Sequence, residues 1–124
     1  YSVEPAGFDD HARSLAAPGR ARASNAAGAR SICDALQAPT PGDVTYPINR
    51  SLLAGGLVVS DDEVRAAMRF AFETLKLVVE PGGAVALAAV LGGKLPAAGR
   101  VTAVVLSGGN VDPALFAEIV GAKT

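Results

Sequence analysis

The chain has 124 residues, half of them apolar, and its 11 Lys and Arg nearly balance 12 Asp and Glu for a net charge of −1. That composition excludes intrinsic disorder and a general nucleic-acid binder, which needs a basic face to displace counterions. A single cysteine, Cys33, excludes an internal disulfide and a cysteine-built zinc site, and apolar runs broken by Gly and Lys exclude a membrane span.

The length fits one domain or part of a larger one, with a thin core because 25 of the apolar residues are alanine. Tyr1 stands first with no charged-then-apolar leader behind it, as in a processed product or an internal piece. Tyr1–Glu4 reads as the end of a strand turned by Pro5 and Gly7. Asp9 to Ala16 reads as a short helix opened by two aspartates and closed near Pro18. Arg20–Arg30 has no period and reads as loop, its arginines solvated together with Arg13. Ser31–Leu36 reads as a short strand, and Ala38–Gly42 as loop, because two prolines in five residues stop a ladder.

The second half is better organised. Ile48–Ala54 reads as a short helix ended by Gly55 and Gly56, and Leu57–Val59 as a strand. Ser60 with Glu63 three residues on has the form of a capping box. The helix it opens carries Val64, Met68, Phe72 and Leu75 on one face and Arg65, Arg69 and Glu73 on the other. After the apolar run Leu77–Val79, Pro81 stands where a helix can begin. Ala84–Leu91, apolar all round, marks a buried helix ended by Gly92 and Gly93. Val101–Leu106 is a continuous β-rich run, the pattern of a central parallel strand buried on both faces. A last helix runs from Asp112 to Val120. Helices alternating with strands imply an α/β fold with a parallel sheet.

Three groups can carry chemistry. Ser107-Gly108-Gly109-Asn110 lies just past the carboxyl end of a buried strand, where open α/β sheets bind ligands; the alternative is a plain strand-to-helix turn. Glu80-Pro81-Gly82-Gly83 opens a helix whose N–H groups suit an anion, although close packing explains its two glycines better. Glu80 itself needs a partner, since a carboxylate between apolar runs is costly. Glu4, Asp9 and Asp10 surround a turn and can hold a hard cation, or the aspartates can simply favour the positive end of a helix. His11 reads as solvent-facing and Cys33 as a small buried apolar residue. Lys94 and Lys123 read as surface residues, and Lys76 as a helix-ending cation.

Taken together, Glu4-Pro5 with Asp9-Asp10, Ser31-Ile32-Cys33-Asp34-Ala35, Val78-Val79-Glu80-Pro81-Gly82-Gly83-Ala84 and Val104-Val105-Leu106-Ser107-Gly108-Gly109-Asn110 come in an order that resembles the serine/threonine dehydratase and serine racemase family. These are pyridoxal-phosphate enzymes of fold type II, and the resemblance is to their carboxyl-terminal part. It covers essentially the whole chain. It implies the later strands and helices of the large cofactor domain across residues 1–124, a parallel sheet flanked by helices. In that family the lysine that forms the Schiff base lies upstream in a Ser-x-Lys-x-Arg-Gly segment, and so does the glycine-rich loop for the cofactor's phosphate. Neither occurs in this chain.

The resemblance also implies roles. Ser107 matches the serine whose hydroxyl meets the pyridine nitrogen of pyridoxal phosphate, and Gly108 and Gly109 match glycines that pass beside the ring. Glu80 matches a glutamate near the cofactor. Ala35 stands where many members have glycine. Glu4, the Phe8 carbonyl and Asp10 match a divalent-cation site (Mg, Mn or Ca) of the racemase branch. The implied parent is a lyase converting L-threonine or L-serine to a 2-oxo acid and ammonia, cytoplasmic and a homodimer, with no nucleic-acid or membrane partner. This chain would need the amino-terminal part of the same enzyme and be inactive alone. The alternatives are a serine racemase, or a small α/β anion-binding module without covalent chemistry. If Thr124 lies at or near the natural end, the 14 residues after Asn110 are too few for a regulatory domain that senses isoleucine, and none is expected.

Overall fold

The computed structural model describes residues 1–25 and 28–122. The surface position expected of Lys123 and two residues of the expected loop Arg20–Arg30, Ala26 and Ala27, lie outside these. Two short strands, β1 (Ser2–Pro5) and β2 (Gly56–Val59), pair in parallel with Ser2 opposite Gly56 and Pro5 opposite Val59. Around them stand five helices: α1 (Asp10–Ala16), α2 (Thr45–Leu52), α3 (Asp61–Phe70), α4 (Pro81–Leu91) and α5 (Pro113–Gly121).

Helix α4 is central because it has no polar face. It packs on α3 and on both strands, and Ala84, Val85 and Ala88 meet Val59, Val64, Met68 and Ile119 in one core. Pro81 occupies its first turn, where no N–H is missed. The capping box at α3 is formed: the Glu63 N–H donates to Ser60 Oγ at 3.2 Å and the Ser60 N–H to Glu63 Oε2 at 2.6 Å. Asp112 caps α5 by accepting the Leu115 N–H at 2.9 Å. The Arg69 guanidinium donates twice to the Ile119 carbonyl, at 3.0 and 2.8 Å, and so ties α3 to the last turn of α5.

Several expectations give way. Ser31–Leu36 is not a strand but ends in a single 3₁₀ turn, Asp34–Leu36. Side chains bind this segment instead: Asp61, distant in sequence, accepts the Ser31 hydroxyl at 2.6 Å and the Ile32 N–H at 3.1 Å, and Ser31 Oγ accepts the Cys33 N–H at 3.1 Å. Helix α2 begins three residues before Ile48, with Pro47 tolerated in its first turn. Beyond Phe70 the chain makes a π turn, Ala71–Leu75, closed by Lys76 at φ 61°. The extra residue rotates the apolar stripe, so Ala71 is buried while Phe72 and Leu75 are 41% and 44% exposed. Phe72 meets Phe116 of α5 edge-on, with ring centroids 5.4 Å apart. The largest departure is Val101–Leu106. It belongs to no ladder among the described residues. Val104 and Leu106 pack on the core, but Val105 is 72% exposed and Val101 fully so. No helix among the described residues is long and apolar enough to cross a membrane.

Candidate functional site

The Ser107–Asn110 turn and the start of α4 are held main chain against main chain. The Glu80 N–H donates to the Gly108 carbonyl at 2.9 Å, and the Asn110 N–H donates to Glu80 Oε2 at 3.0 Å. A Cβ at Gly83 would lie 2.9 Å from both the nitrogen and the oxygen of Gly108, and one at Gly109 would lie 2.8 Å from the Val78 carbonyl oxygen. Only glycine permits that approach. Close packing, expected of Gly83, is therefore correct, and its partner is the turn itself. Glu80 finds the partner it needed in the Asn110 amide. Ser107 is exposed just after Val101–Leu106. Its hydroxyl makes no hydrogen bond to the described protein, and so is free to donate to or accept from a ligand.

A second cluster lies at the junction of β1 and α1. One ligand atom each from Glu4, Asp10 and His11 lies within 4.8 Å of the others. Glu4, from the end of β1, accepts the N–H of His11 at 2.8 Å and of Ala12 at 2.7 Å. It thereby caps α1 from a neighbouring strand, a carboxylate at the positive helix end. Because Ala12 donates to Glu4, the Phe8 carbonyl receives no N–H from the described residues. Burial raises the Glu4 carboxyl to about 7, against the pull of those two N–H groups, with the charges of Asp10 and Asp9 adding to the rise. Asp10 is raised too, again mainly by burial. The cluster opens on a cleft of about 270 Å³, also lined by Ala35, Thr40 and Asn49. Ser2 lines the same cleft with a buried hydroxyl that has no partner. Two carboxylates, with an orphaned hydroxyl on the same cleft, are oxygen donors that fit a hard divalent cation, and the His11 ring adds a nitrogen.

His11 corrects its expectation. It is half-buried, and its Nε2 lies 2.9 Å from Asn49 Nδ2 rather than facing solvent. Cys33 is fully buried, and burial pushes its thiol up to about 11, the inert state expected of it. Lys76 donates to the Glu73 carbonyl at 2.7 Å and Lys94 pairs with Glu63 at 2.9 Å. Ala35 borders the acidic cleft and also lies beside Gly82, whose Cβ would be 3.8 Å from its own. The structure thus brings Glu80, Gly108 and Gly109 together beside Ser107, gathers Glu4 and Asp10 at a second point with His11 rather than with Phe8 as the third ligand-bearing residue, and sets Ala35 near the start of α4. Asn110 as the partner of Glu80, and Ser2 as a cleft residue, carry no signal in the sequence. A lone amide and a lone hydroxyl form no pattern until the fold gives them neighbours.

The titration of Glu4 has a consequence for stability. Its folded-state carboxyl binds a proton more tightly than an ordinary one near 4.5. The stability it contributes is complete below about pH 4.5 and is lost as pH rises through about 7. In EDTA, the urea midpoint should therefore fall between pH 5 and 8, and Glu4→Gln should flatten that slope. A slope that survives Glu4→Gln would assign it to other groups.

Residues 1–108 match the family described as pyridoxal-phosphate dependent enzyme. The chain belongs to that family. It is 42% identical to phenylserine dehydratase from Ralstonia pickettii over 96% of its own length and 36% of that protein. It is 35% identical to L-threonine ammonia-lyase from Thermotoga maritima over 82% of its length and 25% of that protein. Against serine racemase from Dictyostelium discoideum the identity is 32%, over 96% of this chain and 37% of the other. Among solved structures, the T.th. threonine deaminase superposes with a TM-score of 0.77 at 42% identity, over 89% of this chain and 35% of that one. Maize serine racemase gives 0.78 at 35% identity, over 94% and 36%. The chain therefore spans about a third of the length of these relatives and has the fold of part of a fold-type II pyridoxal-phosphate enzyme. The resemblance read from the ordered motifs is correct, and the family takes in both dehydratases and racemases.

Proposed function

We propose that the whole protein is a pyridoxal-phosphate-dependent ammonia-lyase that dehydrates and deaminates L-threonine or L-serine to a 2-oxo acid. Residues 1–124 form the carboxyl-terminal part of its large cofactor domain. The observation that carries this reading is the uncommitted Ser107 hydroxyl on a turn clamped by Glu80 and Asn110. Similarity to phenylserine dehydratase and L-threonine ammonia-lyase supports it. When bound, the cofactor supplies the electron sink for loss of the β-hydroxyl. Ser107 would hold the pyridine nitrogen through a neutral hydroxyl, which would leave that nitrogen largely unprotonated. Gly108 and Gly109 would let main chain approach the cofactor, Glu80 would back the turn, and Ala35 would border the same region. The remaining chain of the same enzyme supplies the attachment lysine and the phosphate loop, and the working form is a cytoplasmic homodimer.

Turnover by the full-length enzyme decides the reading. 2-Oxobutanoate from L-threonine or pyruvate from L-serine is the expected product, and D-serine alone would favour a racemase. Ser107→Ala should cost about 1 kcal/mol of cofactor binding, roughly five-fold in affinity, with the fold intact. Unchanged affinity and turnover would reduce Ser107 to a turn residue.

Glu4, Asp10 and the Phe8 carbonyl are proposed to hold Mg²⁺, Mn²⁺ or Ca²⁺. Such an ion binds only the folded state, so millimolar Mg²⁺ should raise the melting temperature of the full-length enzyme, and Glu4→Gln should diminish the rise. A melting curve indifferent to both Mg²⁺ and EDTA would remove the site.

A further inference from the structure

His11 is the one member of the Glu4–Asp10–His11 cluster that the proposed hard-cation site leaves unused. One ligand atom of its ring lies within 4.8 Å of one from each carboxylate. The ring is half-buried and lines the same cleft as Glu4, Asp10 and Asn49. Its Nε2 meets the Asn49 amide at 2.9 Å, and its Nδ1 has no hydrogen-bond partner among the described residues. Asp10 is equally short of partners. It is 4% exposed, yet its carboxylate receives no N–H from another described residue. The bond it accepts from the Ser14 hydroxyl, at 2.6 Å, goes to its main-chain carbonyl. The buried Ser2 hydroxyl on the same cleft is unpartnered as well. A buried carboxylate without a donor is costly unless a cation meets it.

We propose that His11 is itself a metal ligand, binding through Nδ1 beside Glu4 and Asp10, and that it turns this site from Mg²⁺ and Ca²⁺ toward divalent transition ions such as Co²⁺ and Zn²⁺. The inference rests on the proposed reading that Glu4 and Asp10 hold a cation. Mg²⁺ and Ca²⁺ are hard ions that take oxygen ligands and gain little from an imidazole nitrogen. Co²⁺ and Zn²⁺ gain much more from it. A neutral ring can bind a metal through one nitrogen only while the other carries the proton. Asn49 supplies the means. A half-turn of its amide puts Oδ1 where Nδ2 stands, and that oxygen then accepts the Nε2 proton and leaves the Nδ1 lone pair for the metal. Metal-bound histidines are commonly oriented in this way, by an acceptor on the second nitrogen. Asn49 stands on α2 and His11 on α1, so the meeting of these helices aims the ring. A histidine present only to join the two helices would leave both Nδ1 and the Asp10 carboxylate without partners.

Nitrogen-15 NMR of the His11 ring in the full-length holoenzyme tests this, with its signals assigned by their absence in His11→Gln. Zn²⁺, which is diamagnetic, should move the Nδ1 signal, and Mg²⁺ should not. Metal titrations should agree. Glutamine at position 11 can still meet Asn49, so His11→Gln should keep the fold and its Mg²⁺ affinity but lose about 10–100-fold in Zn²⁺ and Co²⁺ affinity. Asn49→Leu should cost about ten-fold for Zn²⁺ by freeing the ring. Ring signals unmoved by Zn²⁺, or equal losses for Zn²⁺ and Mg²⁺ in His11→Gln, would overturn the proposal. So would a ring response that survives Glu4→Gln combined with Asp10→Asn, since the zinc would then sit elsewhere. Melting curves separate the two claims. Stabilisation by Mg²⁺ with an unmoved ring would leave the carboxylate site standing and sink the part given to His11. A ring that answers Zn²⁺ in an enzyme indifferent to Mg²⁺ would do the reverse.

Discussion

Gly83→Ala should destabilise the full-length enzyme by about 1–3 kcal/mol, the usual cost of forcing atoms into a filled space, and should weaken cofactor binding as well. Its Cβ would lie 2.9 Å from both main-chain polar atoms of Gly108, and neither can swing aside as a side chain would. Either α4 withdraws or the Ser107 turn shifts, and both outcomes would disturb the proposed cofactor-binding turn. The neighbouring glycine is the control. A Cβ at Gly82 meets Leu36 at 3.5 Å, an ordinary contact, and alanine favours a helix by up to about 1 kcal/mol over glycine. Gly82→Ala should therefore be neutral or stabilising. Gly108→Ala stands between them, because its 2.7 Å contact is with the Glu80 carboxylate, which can rotate at the expense of the Asn110 bond. Urea denaturation and cofactor titration of the three variants would order them. Gly83→Ala as stable as the parent, with unaltered cofactor affinity, would show that the clamp is looser than its geometry.

The second large effect is complete loss. The 124-residue chain mixed with pyridoxal phosphate should release no 2-oxo acid from L-threonine or L-serine, whereas the full-length enzyme should. Catalysis of this kind needs a lysine amine delivered to the cofactor. The amine of Lys76 is held by the Glu73 carbonyl on a helix end, and that of Lys94 is paired with Glu63. Neither stands in the Ser-x-Lys-x-Arg-Gly setting that the family uses. A coupled dehydrogenase assay for pyruvate and 2-oxobutanoate reads the result, and turnover by the isolated chain would refute the assignment of the missing lysine to the rest of the enzyme.

What was legible in the sequence was what local chemistry determines. The capping box at Ser60, Pro81 at a helix start and the polar-free run of α4 each describe a structure that a few consecutive residues can specify. The ordered motifs identified the family by their order and by the paired glycines of two of them, where Gly83 and Gly109 meet main chain too closely for any Cβ. The tertiary structure decided where partners lie. Ser31–Leu36 has strand-like residues, but Asp61, thirty positions beyond Ser31, binds its main chain into a turn. Phe72 and Leu75 fit a helical period until the π turn adds a residue and rotates them outward. His11 reads as solvent-facing among acids until α2 brings Asn49 against it. Val101–Leu106 shows the difference most plainly. Its composition sets it as a buried strand, but a strand is made by its neighbours' hydrogen bonds, and no neighbour among the described residues supplies them. Composition determines what a segment can pair with, and only the assembled fold determines whether the partner is there.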